Sequence, residues 1–268
     1  MNISSTFTSS DGDGYEVQMG RWSRRLAPHF IEFAGIADAE RVLDVGCGTG
    51  SLSFCLARDL NIRTVLGIDL SSAYIDHAKR RNQDARLAFQ LGDACALPFP
   101  DASFDHALSM LVLQFIPQPG RAVREMRRVT RPGGTIAAAT WDTGGGLVTY
   151  RMMFDTAAIL AQDGNALRAK AYGRPLRRPG ELAGAWRDAG LSDVVEDMVT
   201  IRMDFACFAD FWAPAEGRDG PVAEYANTLG AEAKAEFRRM VELAYLEGNA
   251  DGARSYAATA WVVKGKAP

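Results

Sequence analysis

Between Arg41 and Asp142 short apolar runs alternate with stretches whose apolar residues recur at helical spacing. That alternation marks βαβ units: a buried parallel strand reads as a continuous apolar run, and each crossover helix needs one apolar stripe. The first run, Arg41 to Val45, enters a glycine turn at Gly46 and is followed by Leu52, Phe54, Cys55, Leu56 and Leu60 at helix-like spacing. A second run, Thr64 to Asp69, meets Ser71 and Ser72 as N-cap candidates before a helix to about Asn82. Leu87 to Leu91 reads as a third strand ending at Gly92-Asp93, and Phe104 to Leu111 as a fourth. A helix from about Gly120 to Val129 then buries Val123, Met126 and Val129. Arg131-Pro132-Gly133-Gly134 is predicted to be a turn, because proline fixes its own φ and glycine accepts conformations closed to other residues. Thr135 to Trp141 is the fifth strand.

Beyond Gly144-Gly145-Gly146 the rhythm changes. A helix is expected over 147–161, a basic loop over 168–178 and a helix over 180–189. A strand pattern follows at Ser192 to Phe205, a helical stretch over 207–247, and a last β-rich run from Ser255 to Lys264. The expected architecture is a doubly wound α/β fold around a seven-stranded, mostly parallel sheet. The remaining helices, about 142–190 and 206–252, read as a lid over the carboxyl edge of the sheet. Residues 15–268 thus form one domain, with a motif-bearing core over 38–142 and closing strands at 192–205 and 255–264. The polar segment 1–14 is expected to be a disordered tail.

A chain of 268 residues suits one elaborated α/β domain. Its net charge of -3 supplies no field for polymeric nucleic acid or an anionic membrane surface, so neither is an expected partner. Cys47, Cys55, Cys95 and Cys207 show no metal-binding spacing and read as free thiols. Without a basic start, a signal-like apolar stretch or a spanning segment, cytoplasmic residence is the expectation.

The sharpest feature is VLDVGCGTG, Val42 to Gly50, where an apolar strand delivers Asp44 beside glycines at 46, 48 and 50. Backbone there must pass very close to a ligand. A dinucleotide fingerprint would require glycine at 51, and position 51 is Ser51. A positively charged ligand would favour the carboxylate of Asp44. Nineteen residues after Gly50 the second strand ends in Asp69, where doubly wound folds place an acid against ribose hydroxyls. Asp93 at the third strand end is placed to accept from the exocyclic amine of an adenine lying between Leu70 and Ala94.

These residues resemble the class I S-adenosylmethionine-dependent methyltransferases, within them the branch typified by ubiquinone and menaquinone biosynthesis methyltransferases. The resemblance rests on VLDVGCGTG, VLGIDLS (65–71), GDACALPFPDASFD (92–105), SMLVLQFIP (109–117) and RVTRPGGTI (128–136). It implies a Rossmann-like methyltransferase fold that binds S-adenosyl-L-methionine and releases S-adenosyl-L-homocysteine. By the same resemblance Asp44, Gly46, Cys47, Gly48 and Gly50 form the cofactor loop, with Asp44 and Gly46 against the methionyl part. Asp69 and Leu70 lie at the ribose, Asp93 and Ala94 at the adenine, and Leu111 offers backbone. An N-terminal segment with Tyr15, Met19, Gly20 and Arg21 would close over the cofactor, Arg21 toward its carboxylate. Gln114 stands where many relatives carry histidine, so a histidine base is absent at that point.

Methyl transfer from a sulfonium needs alignment more than acid–base chemistry. Tyr15, Gln114 and Trp141 are therefore candidates for shaping the pocket, and no catalytic base is assigned. His29, His77 and His106 read as structural or solvated, and no metal site is expected. The basic cluster Arg168, Lys170, Arg174, Arg177 and Arg178 reads as a solvated face, with a substrate carboxylate or phosphate as its alternative ligand. The apolar content of the lid suggests a small hydrophobic acceptor with a polar handle. The competing functions are a catalytically silent S-adenosylmethionine binder and an NAD(P)-dependent oxidoreductase.

Overall fold

A computed structural model describes residues 5–6, 12–36, 38–218 and 220–268. Most of the expected tail over 1–14 lies outside these residues, and its last part, from Gly12, forms the short helix α1 (Gly12–Tyr15). A single π-helical turn, Glu16–Gly20, joins α1 to α2 (Arg21–Ala34). The core then alternates as the apolar runs predict: β1 (Ala39–Val45), α3 (Ser51–Asp59), β2 (Ile62–Asp69), α4 (Ser72–Arg81), β3 (Leu87–Leu91), β4 (Phe104–Met110), α5 (Pro119–Val129) and β5 (Thr130–Trp141).

Seven strands form one sheet in the order β3-β2-β1-β4-β5-β7-β6, where β6 is Ser192–Phe205 and β7 is Arg254–Lys266. The first five are parallel, and β7 runs antiparallel between β5 and β6. The chain leaves β1 in one direction and returns beside it at β4. The carboxyl ends of β1 and β4 therefore flank the switch point at which such sheets open a crevice.

Both faces of the sheet are covered. Alternate residues serve opposite cores: Val42, Ala137 and Ala139 face one layer, and Leu43, Ile136 and Ala138 the other. The RPGG segment is a bulge inside β5, not a turn before it: the partner on β5 jumps from Thr130 to Thr135 while β4 advances only from Phe104 to His106. Gly134 is required there, because a Cβ would sit 2.3 Å from the Asp105 carbonyl oxygen.

After β5 come α6 (Val148–Leu160), α7 (Gln162–Tyr172) and α8 (Glu181–Asp188). Helix α7 takes up the first part of the segment expected as a basic loop. Helix α8 does not belong to the lid: Leu182 and Trp186 pack with Val123 and Met126 of α5, and Trp186 Nε1 donates to the Ile136 carbonyl at 3.0 Å. Its apolar stripe faces the sheet, which makes it a covering helix of the core. The stretch over 207–247 divides into α9 (Phe208–Glu216), α10 (Pro221–Thr228) and α11 (Ala231–Leu246). Helices α9 and α11 are held to the β6–β7 pair by an aromatic cluster, with ring centroids 5.0 Å apart for Phe205–Phe211 and 5.2 Å for Phe211–Tyr245. No described helix is long and apolar enough to cross a membrane.

Candidate functional site

At the end of β1 the three glycines take left-handed φ, +73° at Gly46, +55° at Gly48 and +93° at Gly50. Their surroundings differ. A Cβ on Gly46 would lie 2.5 Å from Val112, and one on Gly50 would lie 2.6 Å from the Phe54 ring. A Cβ on Gly48 would meet nothing within 4 Å, so Gly48 is the glycine whose bare backbone faces open space. Gly50 accordingly has a packing role and does not line the cleft.

Asp69, at the end of β2, is fixed by two backbone donors: Gly48 N–H to Oδ2 at 2.9 Å and Ser71 N–H to Oδ1 at 2.9 Å. Burial pushes its pKa up, against the pull of these hydrogen bonds. Asp44 is 1% exposed and accepts from Ser53 Oγ at 2.6 Å. Burial, with a smaller contribution from the charge of Asp69, pushes its pKa up to about 7. No cationic group of the described residues offsets that charge. Asp93 Oδ1 accepts from Cys95 N–H at 2.8 Å, which closes the turn after β3. Leu70 stands half exposed between these acids and offers an apolar surface.

Past β4 the chain turns at Leu111, which holds φ at +67°, a strained value for a branched residue. Gln114 Nε2 donates to the Leu111 carbonyl at 3.1 Å, and Gln114 Oε1 has no partner. A side chain thus steadies the strained turn. Trp141, at the end of β5, has an unpartnered Nε1, and so does the Thr143 hydroxyl beside it.

The N-terminal helices cover this edge. Tyr15 packs on Tyr74 of α4 at 5.1 Å between centroids and shares a hydrogen bond with Ser23 Oγ at 3.2 Å. Glu16 accepts from Thr49 Oγ1 of the glycine loop at 2.5 Å and pairs with Arg24 and Arg81. Thr6 N–H donates to the Phe115 carbonyl at 2.8 Å, and Ser5 reaches the cleft.

One cleft, about 1400 Å³ counted to its open mouth, is lined by Asp44, Gly46, Cys47, Gly48, Asp69, Leu70, Asp93, Ala94 and Leu111, with Tyr15, Gln114 and Trp141. Arg21 is not among them. Its guanidinium pairs with Asp210 at 2.8 Å and lies 4.3 Å from the Trp22 ring centroid, so its charge is consumed in tying α2 to α9. The cleft also contains residues that the linear pattern did not single out, among them Gln18, Thr143, Tyr150 and Pro221. Gln18, Tyr150 and Pro221 come from the π turn, α6 and α10, elements that no local motif relates to the strand ends, and Thr143 lies in the loop just after β5. Arg174 is a further lining residue, visible in the sequence only as one of a run of cations. None of the three histidines lines it: His106 Nδ1 accepts from Thr135 N–H at 3.1 Å, and His77 is buried. Cys47, Cys55 and Cys95 are buried free thiols, and Cys207 is half-buried.

Residues 43–138 match the methyltransferase domain family. The chain is 40% identical over 127 residues to a malonyl-[acyl-carrier protein] O-methyltransferase of Erwinia pyrifoliae, covering 47% of each chain. It is 40% identical over 131 residues to a demethylmenaquinone methyltransferase of Beutenbergia cavernae, covering 49% of this chain and 52% of that one. The chain spans about half the length of these relatives. In structure it is similar to phosphoethanolamine N-methyltransferase 2 of Haemonchus contortus, solved with phosphomonomethylethanolamine and S-adenosylhomocysteine, at a TM-score of 0.61 and 18% identity over 96% of this chain and 57% of that one. That likeness concerns the fold.

Proposed function

We propose that this chain, whose residues 43–138 match the methyltransferase domain family, transfers a methyl group from S-adenosylmethionine to a small, largely apolar acceptor. The observation that carries this reading is Asp44, a buried carboxylate on the cleft wall without a cationic partner among the described residues. A negative group held in that state gains from a ligand that brings positive charge. The uncrowded backbone at Gly48 supports the same reading, because a side chain there would fill the space a ligand needs.

S-adenosylmethionine supplies a methyl group on a positively charged sulfur, activated for in-line displacement before it binds. Asp69, held by Gly48 and Ser71, would take the ribose hydroxyls, and Asp93 with Leu70 and Ala94 the adenine. Asp44 would stand beside the methionyl part. On the acceptor side Tyr15, Gln114 and Trp141 position and exclude water. Burial pushes the Tyr15 hydroxyl up to about 12, so at neutral pH it keeps its proton and acts as a hydrogen-bond donor. Alignment therefore dominates catalysis, and no strong base is required of the protein.

Calorimetric titration with S-adenosylmethionine, S-adenosylhomocysteine and NAD tests the reading. Binding of the first two without NAD is expected, and a tight response to NAD alone would overturn it. Transfer of labelled methyl groups into a metabolite extract separates an enzyme from a silent binder.

A further inference from the structure

The basic run after α6 resolves into unlike members. Arg168 pairs with Asp155 at 3.5 Å, Arg177 lies 5.7 Å from the Tyr172 ring centroid, and Lys170 and Arg178 are exposed. Arg174 alone of the five turns into the cleft, half-buried, with its guanidinium carbon 4.5 Å from the Phe115 ring centroid. Among the described residues it makes no ion pair. Its charge is felt by Tyr150 and Glu224, and it does not figure among the groups acting on Asp44 or Asp69. The cleft is therefore polarised, with acids at the strand ends and a guanidinium apart from them.

Neutral polar groups accompany that guanidinium. Tyr150 OH accepts from Gln18 Nε2 at 3.3 Å, which leaves the phenol proton free to be donated. Thr143 Oγ1 and Trp141 Nε1, both buried, have no partner. The same cleft is lined by apolar Met19, Phe115, Ile116 and Pro221.

We propose that Arg174 binds an anionic handle on the methyl acceptor, and that the acceptor is an apolar monocarboxylate. This rests on the reading of the cleft as a methyl-transfer site. A planar guanidinium pairs two N–H donors with a carboxylate, and hydroxyl or indole donors satisfy the remaining lone pairs. A single cation beside neutral donors, with the Glu224 carboxylate already within its field, matches at most a single further negative charge. A phosphate dianion would keep one charge uncompensated in a half-buried site. The acids at the strand ends repel the handle from the cofactor's place, so it enters at the Arg174 end. A carboxylate so paired is a weak nucleophile, which places the methylated atom elsewhere on the acceptor.

The test titrates protein saturated with S-adenosylhomocysteine with decanoate and 1-naphthoate, with their neutral amides, and with inorganic phosphate. The carboxylates are expected to bind roughly ten-fold or more tightly than the amides, and phosphate weakly. Arg174→Gln should abolish that preference, Arg174→Lys should retain part of it, and S-adenosylhomocysteine affinity should stay within about two-fold in both. Equal binding of acids and amides, a preference for phosphate, or a preference that survives Arg174→Gln would overturn the proposal. So would a roughly ten-fold loss of S-adenosylhomocysteine affinity in Arg174→Gln, which would assign the guanidinium to the cofactor's own carboxylate. If the wild-type protein fails to bind S-adenosylhomocysteine at all, the methyl-transfer reading itself falls, and that result precedes any carboxylate addition.

Discussion

Thr49 Oγ1 donates to Glu16 Oε1 across 2.5 Å, so the glycine loop and the helices that cover it are joined by one charge-assisted hydrogen bond. Burial pushes the Glu16 carboxyl up, but the bonds from Thr49 and Arg24 and the charges of Arg24 and Arg81 outweigh it and hold the pKa below its ordinary value. Thr49→Val and Glu16→Gln should each speed release of S-adenosylhomocysteine by roughly ten-fold, with Glu16→Gln the larger because it also removes the charge opposite two arginines. Stopped-flow displacement measures this. Because the pKa is depressed, the stability that Glu16 contributes is present above pH 4.5 and declines as pH falls below it.

Asp44 titrates in the opposite sense. Its folded pKa of about 7 lies above the ordinary 3.8, so the folded state without ligand prefers the protonated form. The associated stability is full below about pH 4 and is lost as pH rises through 7. Asp44→Asn should flatten the melting temperature between pH 5 and 8, where the wild-type protein declines by several degrees. S-adenosylmethionine, being cationic, should release a proton on binding near pH 6.5, and S-adenosylhomocysteine should release much less. Calorimetry in two buffers of different ionisation enthalpy reads that difference. Equal proton release for the two ligands would remove Asp44 from the sulfonium.

The neighbouring glycines give a paired test. Gly46→Ala drives a Cβ into Val112 at a left-handed φ, so the protein should lose roughly 2 kcal/mol or more of stability along with its ligand affinity. Gly48→Ala meets nothing within 4 Å and bears only the φ penalty, about 1 kcal/mol, while placing a methyl where the ligand should pass. Thermal melts and S-adenosylhomocysteine titration on both variants separate packing from binding.

Asp69→Ala removes the acceptor that Gly48 and Ser71 hold in place, and with it the contact proposed to the ribose. Affinity for S-adenosylhomocysteine should fall roughly ten- to hundred-fold while far-ultraviolet circular dichroism is unchanged. Methylated bases that lack the ribose should show no difference between the two proteins.

Much of this was legible along the chain because the governing interactions are local. A parallel strand shows as a short, mainly apolar run, and Asp44, Asp69 and Asp93 sit at the ends of three such runs, so their meeting in one cleft follows from parallel order. RPGG has turn chemistry in the sequence, and only the pairing with β4 shows β5 continuing through it as a bulge. The pairing of Arg21 with Asp210 is not legible locally, because nothing near Arg21 in the chain announces a partner that lies on α9. Arg174 shared its signature with four neighbouring cations, and what distinguishes it is which way the chain leaves α7. Likewise α8 has the same amphipathic pattern whether it caps a cleft or covers a sheet.

The antiparallel strand β7 has a consequence for how the molecule comes into being. It is made after β6 yet lies between β6 and β5, and among the described strands β6 has no other hydrogen-bonded neighbour. During translation the fourteen residues of β6 therefore remain an orphan edge until residue 254 and its successors leave the ribosome. A nascent chain stalled before that point leaves both β5 and β6 open along the edges that β7 covers, and its hazard is pairing with another copy of itself.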